Sequence, residues 1–167
     1  MIILKEIPFQ KENFRNRWGI KIYIVAICWS GVSLVLPLSE TQVLGGFLFW
    51  LEWVQRFLLI VVWTLPFEIR DLEVDPPNLN TIPQKIGVKN TIFFGLFLLT
   101  LYLVLGLVFS NLVPYDIAML LLTGGLLWKS RKKQSLYFSS FWVESIPILW
   151  LLLGLIYVFC PFYNFVF

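Results

Sequence analysis

The sequence predicts an all-α protein: a polytopic membrane helix bundle with five transmembrane helices, forming a single membrane domain over residues 1–167. Three observations predict it: 59% of the residues are hydrophobic, only 14% are charged, and the mean hydropathy is +0.81. Such a composition does not fit a water-facing surface. Five spans of roughly 20 residues each would use most of the apolar share of the chain. A separate soluble domain is therefore not expected.

Five apolar segments justify the five helices in order. The first lies between Lys21 and Glu40, where 18 consecutive residues carry no charge. The other four follow at about 43–69, 92–113, 112–128 and 146–167. A helix of roughly 20 apolar residues crosses the hydrocarbon core of a bilayer. The fourth segment is the shortest, and it contains Asp116 at its outer end.

The basic residues predict the orientation of the bundle. Twelve of the 13 Lys and Arg residues lie in the N-terminal segment and in the connections after the second and fourth spans, whereas the intervening connections and the C-terminus have none. Basic loops stay on the cytoplasmic side, so the N-terminus is expected in the cytoplasm and the C-terminus outside. We expect a multi-pass integral protein of a bacterial inner (plasma) membrane, with the lipid bilayer as its partner. Because the basic residues alternate with apolar runs, no nucleic-acid partner is expected.

The composition also excludes several kinds of chemistry. The chain has no histidine, which excludes histidine-based nucleophilic catalysis and histidine-ligated zinc or haem. Cys28 and Cys160 lie far apart in apolar runs, and both are expected to be small buried hydrophobic side chains. Catalysis would therefore need carboxylates, amines or a hard metal ion.

Residues 66–91 form the one long polar stretch and are predicted to be a cytoplasmic loop. On a helix that continues from the second span, Glu68, Asp71 and Asp75 are spaced i+3 and then i+4 and share one face. A divalent cation would relieve their mutual repulsion, and Mg²⁺ is typically held by one or two carboxylates together with water and phosphate oxygens.

Groups suited to an anion follow in the same stretch. Thr81, Lys85 and Lys89 offer a hydroxyl and two ammonium groups that would meet phosphate oxygens. The carboxylates could bind a metal ion and the ammonium groups an anion, and this combination indicates a diphosphate site. The alternative is that these charges only solvate a cytoplasmic loop.

The string IRDLEVD, followed by TIPQKIG and VKNT, resembles the second aspartate-rich motif of the UbiA-type intramembrane prenyltransferases, in the RDxxxD form of their quinone-biosynthesis branch. Those proteins are nine-helix membrane bundles, and the five spans predicted here match their fifth to ninth helices. The resemblance implies transfer of an isoprenyl group from a diphosphate donor to an aromatic or quinone-type acceptor.

The resemblance also implies roles for individual residues. Asp71 and Asp75 would be the catalytic ligands of Mg²⁺ and of the isoprenyl diphosphate, with Glu68 as a further metal ligand from its spacing. The substrate-binding residues would be Arg70, Thr81, Lys85 and Lys89. One departure is Asn80, which stands where the family commonly has a basic residue.

The first aspartate-rich motif of that family is not found in this sequence. The resemblance therefore implies a half-site, which would need a complementary N-terminal-half chain or a homo-oligomer, and an isolated chain would be inactive. Two alternatives stay open. One is a non-catalytic integral membrane protein, or a truncated reading frame, that retains only the bundle; the other is a small transporter subunit.

Two further features lie outside the motif. Glu52 and Arg56 stand i,i+4 inside the second span and are expected to form an ion pair, because an unpaired intramembrane charge is costly. A second interpretation makes them line a substrate cavity. Close helix packing is expected at four glycines: Gly45, Gly46, Gly124 and Gly125.

Overall fold

A computed structural model describes residues 20–38, 45–72, 74–75, 79–109, 112–131 and 138–159. Within these ranges every regular element is helical and no strand occurs. The all-α fold class is therefore confirmed. The N-terminal basic segment, Lys132, Lys133 and Cys160 lie outside the described residues.

Five α-helices follow one another along the chain. They are α1 Ile20–Leu38, α2 Phe47–Asp71, α3 Ile82–Val108, α4 Pro114–Lys129 and α5 Ser145–Phe159, the last preceded by a π-helical turn, Phe138–Val143. Each predicted apolar segment coincides largely with one of these helices, although described residues at the segment ends, such as Gly45, Gly46, Leu112 and Val113, are not helical. The polar stretch 66–91 is helical at both ends rather than a continuous loop.

Local signals explain this difference. α2 continues through Pro66 to Asp71. α3 begins after Thr81, whose backbone N–H donates to Gln84 Oε1 at 3.3 Å, the pairing expected of a T-x-x-Q capping sequence. Gly87 then interrupts α3 with φ of +80°, a conformation that favours glycine. The first turn of α3 is thus set apart from the apolar remainder of the helix.

Two helices, α2 and α3, are long and apolar enough to cross a membrane. Their 25 and 27 residues correspond to roughly 37–40 Å of helix. Only 44% and 39% of their most apolar windows are buried inside the protein, so more than half of each window is exposed or half-buried. α1, α4 and α5 are shorter, with 19, 16 and 15 residues. These features support association with a membrane.

Large apolar side chains are exposed on every helix. Examples are Ile24, Leu48, Phe93, Leu121 and Leu151, with exposed fractions of 54, 59, 63, 74 and 62%. Apolar surface on all sides of a bundle is unfavourable in water, whereas lipid tails accept it.

Cys28 is exposed on α1, so the prediction of a buried cysteine is wrong at this position. The reason is that part of the apolar surface of α1 faces outward, so a side chain within an apolar run, such as that of Cys28, is not necessarily buried.

α2 occupies the centre of the bundle. It packs most extensively along α3 and α1, and it also contacts α4 and the π-helical turn. The main core joins side chains of four helices, including Ala26, Val61, Val62, Leu65, Ile92 and Leu127. A smaller cluster of Met119, Val143 and Ile146 joins α4 to the start of α5.

Three helices pack closely at Gly95 of α3. A Cβ atom there would lie 2.5 Å from Leu127 Cδ2 and 2.8 Å from Leu65 Cδ1, so α2, α3 and α4 meet at this point. By contrast, a Cβ at Gly45 or Gly125 would make no tertiary contact within 4 Å with the described residues. The prediction of close packing is wrong for these two glycines, because it relied on their pairing in sequence rather than on the face they occupy.

Candidate functional site

The α2–α3 pair positions the predicted motif. Phe47 at the start of α2 contacts Phe109 just after α3, with ring centroids 5.2 Å apart, and Leu65 packs at Gly95. The two helices therefore run antiparallel. Asp71 lies six residues after Leu65, and Lys89 lies six residues before Gly95. Because each helix rises about 1.5 Å per residue, Asp71 and Lys89 are equally far from the Leu65–Gly95 contact and lie at the same level of the bundle.

The acidic side of the site is the end of α2. Arg70 Nε lies 2.6 Å from Asp71 Oδ1, and its guanidinium stacks on Phe67 at 5.5 Å from the ring centroid. The backbone N–H of Asp75 donates to the carbonyl of Asp71 at 2.8 Å. Asp75 therefore lies one turn beyond the end of α2, and the three carboxylates do not lie on one continuous helix as predicted.

Glu68 is half-buried on the last turns of α2. Its Oε2 atom is buried and has no hydrogen-bond partner among the described residues. The charged groups that act on Glu68 are Lys21 from the start of α1, followed by Asp75 and Asp71. A buried carboxylate oxygen without a donor is costly, and a bound cation would satisfy it.

Two charged residues of this end were missed by the sequence analysis. The positive charge of Lys21 attracts Glu68. The negative charge of Glu144, next to the start of α5, attracts Arg70. Lys21 precedes the first predicted span and Glu144 precedes the fifth, both on the predicted cytoplasmic side, where the motif also lies. This shared side of the membrane could have identified them from the sequence.

The carboxylates meet only part of the requirement for a metal site. In the described ranges, no three acidic side chains converge closely enough to hold a metal ion together. Mg²⁺ is commonly held by one or two carboxylates, with water and phosphate in its other positions. Asp71 and Asp75 would supply the one or two carboxylates of such a partial site.

The basic side of the site lies at the start of α3. Thr81 is buried, whereas Lys85 and Lys89 are exposed on either side of the break at Gly87. Asn80, with φ of +52°, is exposed just before Thr81. All four predicted substrate-binding residues, Arg70, Thr81, Lys85 and Lys89, thus belong to the same end of the α2–α3 pair.

A second polar cluster lies toward the other end of the bundle. A cavity of about 140 Å³ is lined by residues from four helices, namely Glu52, Gln55, Arg56, Tyr102, Val113, Tyr115, Asp116 and Trp150. Arg56 Nη1 donates to the Ser33 carbonyl oxygen at 3.3 Å, and the guanidinium stacks on Trp150 at 5.4 Å from the ring centroid.

The predicted Glu52–Arg56 ion pair does not form between these two described residues. The Arg56 side chain turns instead toward α1 and α5. Both charges line the cavity, and the second interpretation, that they line a substrate cavity, stays a prediction.

Asp116 is buried in the wall of this cavity, and neighbouring groups satisfy both of its carboxylate oxygens. Oδ2 accepts from the backbone N–H of Val113 at 3.1 Å, and Oδ1 accepts from Trp150 Nε1 at 3.2 Å. The first contact caps the start of α4, and the second ties α4 to α5. Asp116 therefore has a structural role.

Comparison of the chain with protein-family models, with curated proteins and with solved structures finds no match. The functional argument therefore depends on the two sites described above.

Proposed function

We propose that this chain is a UbiA-like membrane prenyltransferase or its C-terminal half, which transfers an isoprenyl group from a diphosphate donor to an aromatic or quinone-type acceptor. One observation supports the proposal above others. The antiparallel packing of α2 and α3 brings the acids of the RDxxxD string and the lysines of TIPQKIG and VKNT to one end of the bundle.

Each residue of this end has a role in the proposal. Asp71 and Asp75 would hold Mg²⁺, and the buried oxygen of Glu68 would supply a further ligand once the three carboxylates draw together around the ion. Bound Mg²⁺ would neutralise diphosphate charge and so favour departure of the diphosphate. Asp71 is paired with Arg70 at 2.6 Å, so its engagement with the metal would release the guanidinium toward the same diphosphate.

The remaining substrate contacts come from α3. Lys85 and Lys89 offer ammonium groups to the diphosphate oxygens, and the Thr81 hydroxyl offers a neutral donor. Cleavage of the bond between the allylic carbon and the diphosphate oxygen leaves a cation, which the acceptor captures. Exclusion of water by the apolar bundle strengthens the electrostatic contacts at this end.

The proposal includes five membrane crossings with the N-terminus in the cytoplasm. α2 and α3 provide two crossings by length and apolarity. The 16 residues of α4 reach roughly 24 Å, so this crossing requires local thinning of the bilayer. The proposed location is a bacterial inner (plasma) membrane.

Catalysis in the proposal requires a second set of acids. These would come from a complementary N-terminal-half chain or from self-association. A search of the genomic sequence upstream for an open frame with four apolar spans and an NDxxDxxxD-like string tests the first source.

The test of the site is a titration of the purified chain with geranyl and farnesyl diphosphate, with and without Mg²⁺. We expect magnesium-dependent binding by the wild type and a loss of roughly tenfold or more in affinity when Asp71→Asn and Asp75→Asn are combined. Glu52→Gln, which neutralises a carboxylate nearer the opposite end of α2, is the matched control and should bind like the wild type. Equal affinity of the double variant and the wild type would refute the assignment.

A non-catalytic membrane protein is the second candidate function. Two observations favour it: Arg70 already neutralises Asp71, and no three acids converge within the described part of the chain. In that case neither diphosphate binds in a magnesium-dependent manner, and the same titration separates the two candidates.

A further inference from the structure

The cavity near the other end of the bundle contains a cation without a carboxylate partner. Of the five N–H groups of a guanidinium, the contacts described for Arg56 use one, which donates to the Ser33 carbonyl oxygen at 3.3 Å. No carboxylate of the described residues forms an ion pair with Arg56. Asp116 is not available, because Val113 and Trp150 already engage both of its oxygens. An arginine at membrane depth without a counter-charge is costly, so an anionic ligand would stabilise it.

An anion without a partner lines the same cavity. Glu52 precedes Arg56 by four residues and therefore lies one turn away on the same face of α2. It is exposed, and it forms no hydrogen bond or ion pair within the described ranges. The cavity thus presents one positive and one negative group, from residues whose Cβ atoms are roughly 6 Å apart on α2.

The size of the cavity limits its occupant. Its volume is about 140 Å³, close to the roughly 150 Å³ that accommodates one benzene molecule and below the range of roughly 300–1,000 Å³ of drug-sized ligand pockets. Because the cavity is partly open to its surroundings, a longer isoprenyl or acyl chain would extend out of it. A compact polar group that carries both charges is accommodated within it.

The position of the cavity along α2 indicates which leaflet of the membrane would supply this compact polar group. Arg56 lies 15 residues before Asp71 on α2, which corresponds to roughly 22 Å along the helix. In a hydrocarbon core of roughly 30 Å, and with Asp71 at the cytoplasmic surface as proposed above, the cavity belongs to the outer leaflet. The two tyrosines and one tryptophan of its lining are typical of the membrane interface.

We propose that this cavity binds the phosphoethanolamine headgroup of a phosphatidylethanolamine lipid. The phosphate oxygens accept hydrogen bonds from the Arg56 guanidinium, and the ammonium group donates to the Glu52 carboxylate. The Tyr102 hydroxyl is an additional donor in the lining, and Trp150, held by Asp116, keeps the guanidinium in place. The leaflet depends on the topology proposed above, but the site does not depend on prenyl transfer.

The test compares lipids that differ only in their headgroup. The purified full chain in detergent is incubated with phosphatidylethanolamine, phosphatidylglycerol and phosphatidylcholine of identical acyl chains, and retained lipid is measured by native mass spectrometry. We expect phosphatidylethanolamine to bind most tightly. Glu52→Gln should weaken it several-fold without affecting phosphatidylglycerol, which has no ammonium group, whereas Arg56→Gln should weaken both by roughly tenfold.

Matched controls lie toward the opposite end of the bundle. Arg131→Gln removes another guanidinium that stacks on a tryptophan, at 5.8 Å from the Trp128 ring centroid, and Glu144→Gln neutralises another exposed carboxylate. Both should retain phosphatidylethanolamine like the wild type. If Arg56→Gln does not fold, Glu52→Gln still tests the site, because Glu52 is exposed and its neutralisation leaves the packing intact.

Competition with soluble phosphoethanolamine identifies the source of the headgroup. Tighter binding of the lipid assigns it to the bilayer, and equal affinity assigns it to a soluble ester. Unchanged lipid retention by both Glu52→Gln and Arg56→Gln would overturn the proposal. Asp71→Asn should leave lipid retention unchanged, so failure of this proposal is distinguishable from failure of the diphosphate site.

Discussion

Asp116 and Glu68 show how the surroundings of a carboxylate decide its role. Both are acids near the ends of apolar helices. Asp116 receives one donor at each oxygen, from Val113 and Trp150, and so stabilises the junction of α4 and α5. Glu68 keeps a buried oxygen without a partner among the described residues. A buried carboxylate whose oxygens accept hydrogen bonds stabilises the fold. A buried carboxylate oxygen without a donor is costly, and a bound ligand would lower that cost.

The hydrogen bond between Trp150 and Asp116 gives a prediction about stability. Trp150→Phe retains an aromatic ring but removes the indole N–H, leaving Asp116 Oδ1 without its donor. We expect a loss of about 1.5–3 kcal/mol in the free energy of unfolding, as for hydrogen bonds to charged groups, measured by thermal unfolding in detergent. Trp128→Phe, at a side chain that is 50% exposed, is the control. Equal destabilisation by the two variants would contradict the role given to the N–H group.

At the scale of the elements, α3 has two parts with different tasks. Thr81 caps its first turn, which carries Lys85, and the break at Gly87 separates this turn from the apolar segment that contains Gly95. Thr81 and Lys85 thus belong to a short polar end and Lys89 follows just after the break, whereas the helix contacts belong to the segment that packs against α2 and α4. Substitutions in the two parts should accordingly affect different properties of the protein.

The contact at Gly95 gives the prediction at this scale. Gly95→Val would place methyl groups against Leu65 and Leu127, which are both fully buried, and overpacking of this kind costs about 1–3 kcal/mol. Gly125→Val is matched in residue type and helical setting, but a Cβ there would make no tertiary contact within 4 Å with the described residues. We expect a clearly lower unfolding temperature for Gly95→Val than for Gly125→Val in detergent. The same unfolding temperature for both would show that the three helices do not meet as closely as described.

At the scale of the whole molecule, the described bundle has apolar surface on all sides and polar groups concentrated in two places. One is the end that carries Asp71, and the other is the cavity around Arg56. The two places are separated by most of the length of α2. A membrane orientation in which they face opposite leaflets is the arrangement on which both proposals depend.

Cysteine labelling tests that orientation. In a background of Cys28→Ser and Cys160→Ser, single cysteines are introduced by Gly46→Cys, Val74→Cys and Arg131→Cys, at positions that are all exposed. A membrane-impermeant maleimide should label Gly46→Cys in intact cells, and should label the other two only after permeabilisation. Labelling of Arg131→Cys in intact cells would show that α4 does not cross.

The sequence predicted the local features well and the contacts between helices poorly. Run length and apolarity located all five helices, and the spacing of Asp71 and Asp75 identified the candidate site. The pairing of Glu52 with Arg56 was wrong, because Arg56 reaches Ser33 and Trp150 on other helices. Lys21 and Glu144 were missed for the same reason, since their approach to the site depends on how α1 and α5 pack.

The sequence by itself determined an all-helical apolar chain, because apolar run length, capping residues and the cost of charge in lipid act within a few turns of one helix. Only the tertiary structure decided that three helices pack closely at Gly95, and that Glu52 and Arg56 line a cavity. It also decided that Asp116 is satisfied and that Glu68 is not, among the described residues. Each of these depends on residues far apart in the chain that meet when the helices pack. The packing of the bundle therefore decides which polar groups of the described residues have no partner.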